Sequence, residues 1–403
     1  MGGAGGGALT IEVVSGPLVV EVRQSFAPWL NQTVRLVKGA AEAELSFSVG
    51  PVPVDDGVGK EVVSALTSSV DNGNGDGAPV LRTDSNGREF LTRVYNSRPT
   101  WNLTVFEPVA GNYYPTNAAA YIASPTAQLS VVVDRSVGSA SLAAGELEVM
   151  VHRRILADDS RGVGEPLDEY ASSATGDYLN CKDKSSPGIV VAGTHRLQLR
   201  APDNAMAGLR ASMTSAFAPV VIAFAPLDTR AARRAQRQAA AARAATGARA
   251  ASAELQANVK LLTLQAVGAG ALLVRLEHAF AVGEDATLSA PAAVNLTALL
   301  VGLGFSPTGA EELTLTANQP LEDLHRLAWP TNEDQAVADQ AAVPGAAAGG
   351  AMGASVGAAK RKGAAAREKQ VSNARALAAA LGGGGDGVVT LNPMEIRTAV
   401  VYV

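Results

Sequence analysis

Asp158, Asp159, Ser160 and Arg161 put two adjacent carboxylates and a guanidinium within four residues, with Gly162 and Gly164 close behind. Carboxylates accept and guanidinium donates charge-assisted hydrogen bonds, so this grouping suits a polyol such as a sugar. A solvated turn with a local Asp–Arg pair is the other reading, because charged loops sit at surfaces. Just upstream, His152, Arg153 and Arg154 end a strand-like run. Strict alternation puts Arg153 on its apolar face, where it would be buried against an acid: Asp134, Asp158 or Asp159. Other site chemistries are not legible. His152, His195, His278 and His325 show no His-x-x-x-His spacing, and no Cys-x-x-Cys or phosphate-loop pattern occurs. A metal set gathered from distant strands stays open, although a lone histidine is more often structural.

The elements that must position this loop read as β-structure. Gln128–Asp134 is β-branched and apolar, Gly138–Gly145 is turn-forming, and in Glu146–Leu156 the residues Leu147, Val149, Val151 and Ile155 alternate with polar ones. The period of two predicts a hairpin whose second strand delivers the loop. Further strands are expected at Leu9–Val14, Leu18–Arg23, Gln32–Lys38, Glu42–Val49, Trp101–Glu107, Ile189–Val191, His195–Arg200 and Val220–Phe224. Asp84-Ser85-Asn86-Gly87 is a turn, since Asn-Gly takes positive φ at little cost. The Gly- and Pro-bounded Tyr113 and Tyr114 suit either stacking on a sugar ring or plugging a core edge.

The composition sets bounds. At 403 residues the chain is long enough for two or three cores. A net charge of −5 provides no basic field for nucleic acid, and no apolar run reaches bilayer length. The single cysteine, Cys181, permits no intrachain disulfide. The start lacks the basic and apolar regions of a signal peptide. Asn31, Asn102 and Asn295 are glycosylation sequons. We expect an all-β chain: a flexible leader at 1–8, a large antiparallel sandwich at 9–229, an Ala/Arg-rich insertion at 230–257 and a smaller sandwich at 258–403. Residues 230–250 hold six arginines, eleven alanines and no acid. They read as a helical or low-complexity insertion rather than an RNA or membrane arm, having neither aromatics nor a large apolar face. The Ala/Gly-rich 335–387 reads as a disordered insertion in the smaller sandwich, with one helix near Ala364–Leu381.

An ordered series of segments carries more than pattern. It includes Ser48-Val-Gly-Pro-Val-Pro53, Thr83-Asp-Ser-Asn-Gly-Arg-Glu89, Arg98-Pro-Thr-Trp101 and Glu107-Pro-Val-Ala-Gly-Asn-Tyr-Tyr-Pro115. It continues with Asp134-Arg-Ser136, Gly145-Glu-Leu-Glu-Val-Met-Val-His-Arg-Arg154, Asp158-Asp-Ser-Arg-Gly162, Leu273-Val-Arg-Leu-Glu-His278 and Pro393-Met-Glu-Ile-Arg-Thr398. Taken together, these resemble the C-terminal half of the lysosomal and vacuolar α-mannosidases of glycoside hydrolase family 38.

The resemblance implies a β-supersandwich of the galactose-mutarotase-like kind followed by a smaller sandwich. It implies a retaining α-mannosidase acting on mannosyl oligosaccharides, whose carboxylates and zinc lie in an N-terminal catalytic domain outside these residues. This chain would then hold no cofactor, act as partner to that domain, and be inactive alone. It also implies lysosomal, vacuolar or secretory localisation, with no nucleic-acid or membrane partner. In that family the loop matching Asp158–Arg161 reaches the active site, so Arg161 is the expected sugar ligand, with Asp159 its partner and Asp158 beside it. Asp134, Arg135, His152 and Arg153 would support the site. A stand-alone carbohydrate-binding or scaffold sandwich is the alternative.

Overall fold

The computed structural model describes residues 9–162, 164, 166–168, 170, 188–222, 224, 234, 255–268, 270–325 and 387–403. The leader 1–8, Cys181, nearly all of 230–257 and 335–387, and the helix expected near Ala364–Leu381 therefore lie outside the described residues. Two units are present: Met1–Pro226 with Ala279–Ala290, and Leu227–His278 with Pro291–Val403. The segment Ala279–Ala290, expected in the second domain, thus belongs to the first unit.

The first unit contains β1 (Thr10–Ser15), β2 (Val19–Ala27), β3 (Leu30–Val37), β4 (Ala43–Val49), β5 (Lys60–Thr67), β6 (Val80–Asp84) and β7 (Phe90–Val94). It continues through β8 (Tyr114–Thr116), β9 (Ala119–Ala123), β10 (Gln128–Val132), β11 (Val137–Ala140), β12 (Glu146–Arg154), β13 (Val191–Arg200) and the helix α1 (Pro202–Phe217). Nine strands form one sheet in the order β1-β2-β3-β4-β13-β10-β9-β6-β7, and four form a second in the order β5-β12-β11-β8. The described residues are mostly β-structure with few helices, and the assigned pairings within these sheets are antiparallel.

Every residue of β10 is buried. Leu129 and Val131 pack with Leu147 and Val149 of β12, closing the core between the two sheets. Val132 faces the other way, against Met206, Leu209 and Met213 of α1. Fully burying one such side chain contributes about 1.5–3 kcal/mol. The polar residues on the helix side are satisfied: the Gln128 amide donates to the Ser130 hydroxyl at 2.9 Å.

The expected hairpin of Gln128–Asp134 with Glu146–Leu156 is not formed. β10 pairs with β9 and β13, whereas β12 belongs to the other sheet and turns back on β11. The small residues of β11 make this possible, because a Cβ on Gly138 would stand 2.8 Å from the Met150 sulfur. Trp101–Glu107 and the described part of Val220–Phe224 are not strands. Pro99 and Pro108 flank the first, and Phe106 is 85% exposed, so it has no face to bury.

The helix α1 went unpredicted, although its signals are present. Pro202 sits in its first turn, and Ala205, Met206, Leu209 and Met213 recur at helical spacing. Arg210, 4% exposed, holds it in place. Its guanidinium donates to both Glu284 carboxylate oxygens, at 2.6 and 3.1 Å, and lies 5.0 Å from the Phe90 ring centroid. At the β6–β7 turn, Asp84 is also buried. It accepts from the backbone N–H groups of Gly87, Asn117, Ala118 and Ala119, at 2.6–3.0 Å.

The second unit holds β14 (Val259–Gly268), β15 (Ala271–His278), β16 (Ala292–Asn295), α2 (Leu296–Gly302), β17 (Gly309–Leu313), β18 (Val388–Leu391) and β19 (Ile396–Tyr402). The sheet β14-β15-β19-β17 and the pair β16-β18 share one core, which includes Val274, Leu276, Leu300, Leu391 and Val401. β16 stops at Asn295, whose side chain accepts from the Ala298 N–H and caps α2.

Removing one partner of a buried ion pair strands the other charge. Arg210→Met should therefore lower stability by about 3–5 kcal/mol in urea denaturation. Adding Glu284→Gln should restore part of that loss; an unchanged midpoint in the single variant would contradict this account.

Candidate functional site

The Asp158–Arg161 loop is exposed and built as a local turn. Asp158 accepts from the Ser160 N–H at 3.3 Å, and Asp159 from the Arg161 N–H at 3.1 Å. Ser160 sits at φ 56°, the left-handed conformation that such a turn needs. Asp159 thus meets the Arg161 backbone rather than its guanidinium. Among the described residues no ion pair engages that guanidinium, and its five donors point from an exposed loop.

β12 delivers this loop with a bulge. Met150 pairs with Val63 and His152 with Val62, leaving Val151 as the extra residue. A one-residue insertion exchanges the two faces of everything after it. Arg153, expected to be buried against Asp134, Asp158 or Asp159, is instead 45% exposed and pairs with Glu61 at 3.0 Å. Arg154 takes the inward position. Its Nε donates to Asp168 at 2.8 Å, its Nη1 donates to the Val52 carbonyl at 2.9 Å, and the Tyr170 ring centroid lies 4.6 Å from its Cζ. Sequence reasoning noted Arg154 at the strand end without assigning it a partner, and passed over Asp168. The available signal was Asp168, a carboxylate at the far side of the loop that β12 enters.

The remaining residues fall into separate places. The His152 Nε2 lies 3.1 Å from the Ile189 carbonyl oxygen. Asp134 and Arg135 form a two-point pair at 3.0 Å at the end of β10; Arg135 also donates to the Ala192 carbonyl, and Asp134 accepts from the Thr194 N–H. No hydrogen bond or ion pair among the described residues joins Asp134 and Arg135 to the Asp158–Arg161 loop. Burial pushes the Asp134 carboxyl up, but the bonds from Arg135 and Thr194 outweigh it and hold it below the usual carboxylate range. The pair presses on β13 at Gly193, where a Cβ would come 2.8 Å from the Asp134 Oδ2.

Both tyrosines of the aromatic loop are tied into the protein. The Tyr113 hydroxyl donates to Glu148 at 2.7 Å; burial first, and then this bond, push the phenol well above its ordinary value. The Tyr114 hydroxyl accepts from Arg98, and its ring carries the Arg93 and Arg98 guanidinium groups at 4.7 and 5.0 Å. A cleft of 320 Å³ lies beside them, lined by Pro115, Asn117 and Gly138 among others. Asn31, Asn102 and Asn295 are all exposed; Asn31 lies within β3, Asn102 in an irregular segment, and Asn295 at the α2 cap. Among the described residues no three His, Cys, Asp or Glu side chains converge as a metal site. The zinc implied by the resemblance is therefore assigned to no residue here.

His195, on β13, is buried with its ring edge-on to Phe47 at 4.9 Å, near Asp134 and Arg135. Burial draws its pKa down to about 4, against the raising charge of Asp134, while Arg135 adds to the lowering. The unfolded chain takes up this proton near pH 6.5 and the folded chain only near 4. Stability conferred by neutral His195 is therefore full above pH 6.5 and is lost as pH falls towards 4, by on the order of 3 kcal/mol. His195→Leu should flatten the wild-type decline in this window by that amount in denaturation curves taken at successive pH values; parallel curves would refute the assignment.

Residues 7–161 match the glycosyl hydrolases family 38 C-terminal domain. The lysosomal alpha-mannosidase of Bos taurus is 43% identical over 324 residues, 79% of this chain and 29% of that protein. The human lysosomal alpha-mannosidase is 42% identical over 330 residues, 80% of this chain and 29% of that protein. The alpha-mannosidase of Canavalia ensiformis is 36% identical over 389 residues, 96% of this chain and 34% of that protein. The chain thus spans about a third of the length of these relatives. With a domain match that ends on Arg161 and relatives aligned along most of its residues, the chain belongs to the C-terminal region of glycosyl hydrolase family 38.

Proposed function

We propose that this chain is the C-terminal β portion of an α-mannosidase that removes terminal mannosyl residues from oligosaccharides. In this reading it supports a catalytic domain that supplies the nucleophile, the acid and the zinc, and its Asp158–Arg161 loop closes one wall of the sugar pocket. The observation that carries the reading is the 36–43% identity with three proteins named α-mannosidases over 79–96% of the chain. The loop suits the role physically. An exposed guanidinium with no described ion-pair partner can donate two parallel hydrogen bonds to vicinal sugar hydroxyls, and the Asp158 and Asp159 turn bonds fix the backbone beneath it. The same relatives favour a lysosomal or vacuolar setting, in which the sequon at Asn102 lies exposed in an irregular segment.

The test is hydrolysis of a chromogenic α-mannoside, with zinc present, by the chain alone and by the chain joined in one polypeptide to a family 38 catalytic domain. Activity is expected only in the joined protein. There, Arg161→Ala should reduce kcat/KM roughly 10- to 100-fold, the cost of a lost charged hydrogen bond, with the melting temperature unchanged. Wild-type kinetics for Arg161→Ala would remove the loop from the pocket, and turnover by the isolated chain would overturn the division of labour.

A further inference from the structure

The loop that carries Arg161 leaves the protein at Arg154 and returns at Asp168, and its ends are fastened together. The Ile155 N–H donates to the Leu167 carbonyl at 3.4 Å, a long bond that closes the base weakly. The stronger closure is ionic. The Arg154 guanidinium, only 10% exposed, donates to Asp168, which is 18% exposed. The same group meets the Val52 carbonyl and carries the Tyr170 ring on its face. Gly188 completes the enclosure, since a Cβ there would lie 3.1 Å from the Arg154 Nη1 and 3.0 Å from Pro51. One side chain therefore joins the β4–β5 connection, both ends of the loop and the approach to β13. An ion pair this sheltered is screened little by solvent and fixes direction as well as distance.

We propose that Arg154 and Asp168 are positioning residues: their ion pair, backed by Tyr170, sets the loop in the geometry that presents Arg161 to the sugar. Neither need touch the substrate, and both act through the loop backbone. The turn at Ser160 and its two carboxylate bonds shape the tip, but nothing in them fixes where the tip stands. That is set at the base, where a small rotation about Arg154 is amplified along the loop. Misplacing a binding group by about 1 Å is enough to cost on the order of 100-fold in rate. This inference rests on the pocket role of Arg161 proposed above.

Hydrogen exchange of the intact chain tests the clamp without any sugar. Asp168→Asn and, separately, Arg154→Met should speed exchange of amides in 155–162 at least tenfold. Exchange in β9 and β10 should not change, and Arg161→Ala should leave the loop amides at wild-type rates. Unchanged loop exchange in both clamp variants would overturn the proposal. So would acceleration throughout the unit, which would make the pair a general stabiliser. If Arg154→Met fails to fold, Asp168→Asn, close to wild type in shape, carries the test.

Turnover in the joined protein supplies the second arm. Asp168→Asn alone should lower kcat/KM about tenfold, while Arg161→Ala with Asp168→Asn should be no worse than Arg161→Ala alone, because the clamp works through Arg161. Full additivity would overturn the positioning role. A silent Arg161→Ala would instead sink the pocket reading, and the exchange measurement would still decide whether the clamp orders the loop.

Discussion

Burial of β10 on both faces is the constraint from which the first unit follows. A central strand that presents Leu129 and Val131 to one side and Gln128, Ser130 and Val132 to the other needs a cover on each. The four-stranded sheet supplies one and α1 the other. Once α1 is required, so is a way to hold it, and Arg210 does so with a bidentate bond to Glu284. Asp84 plays the same part for the neighbouring turn, collecting four backbone N–H groups where β6 meets β9. Polar groups buried in this way are tolerated because each is satisfied, and they fix register where apolar contacts alone would permit slippage.

The architecture was legible where periodicity is simple. The strands from Leu9 to Val49 and from Gln128 to Val132 follow the alternation of their residues, and the Asn86-Gly87 turn follows from positive φ at both positions. What failed did so for local reasons. A bulge is invisible to a count of alternating residues, so Arg153 is expected inside, whereas the extra residue at Val151 turns Arg153 outward and Arg154 inward. The hairpin failed because a four-residue strand of small residues, Val137–Ala140, resembles a turn in composition. The α1 helix was overlooked because strands surround it.

The site was legible only in part. Residue types alone left the Asp158–Arg161 loop undecided between a polyol site and a solvated turn, and its structure contains both features: carboxylates spent on turn bonds and an arginine side chain facing outward. The pocket role proposed for the loop rests on the resemblance to the family. The base of the loop could not be read from sequence, since pairing Arg154 with Asp168 depends on a bulge three residues upstream, at Val151, and on a loop closing fourteen residues later. The Asp134–Arg135 pair holds β13 at Ala192 and Thr194.

The order of strands in the large sheet also bears on how the chain is made. β13 pairs with β4 on one side and β10 on the other, so it alone joins β1–β4 to β10, β9, β6 and β7. It is also the last strand of that sheet to leave the ribosome. Val49 and Val191 pair across 142 residues of intervening synthesis, roughly 7–30 s at ordinary elongation rates. For that interval the β4 edge stands unpaired, joined by the β10 edge once Val132 has been made, and both are open to strands of other chains. Until β13 is made and inserted, the two halves of the large sheet lack the strand that joins them.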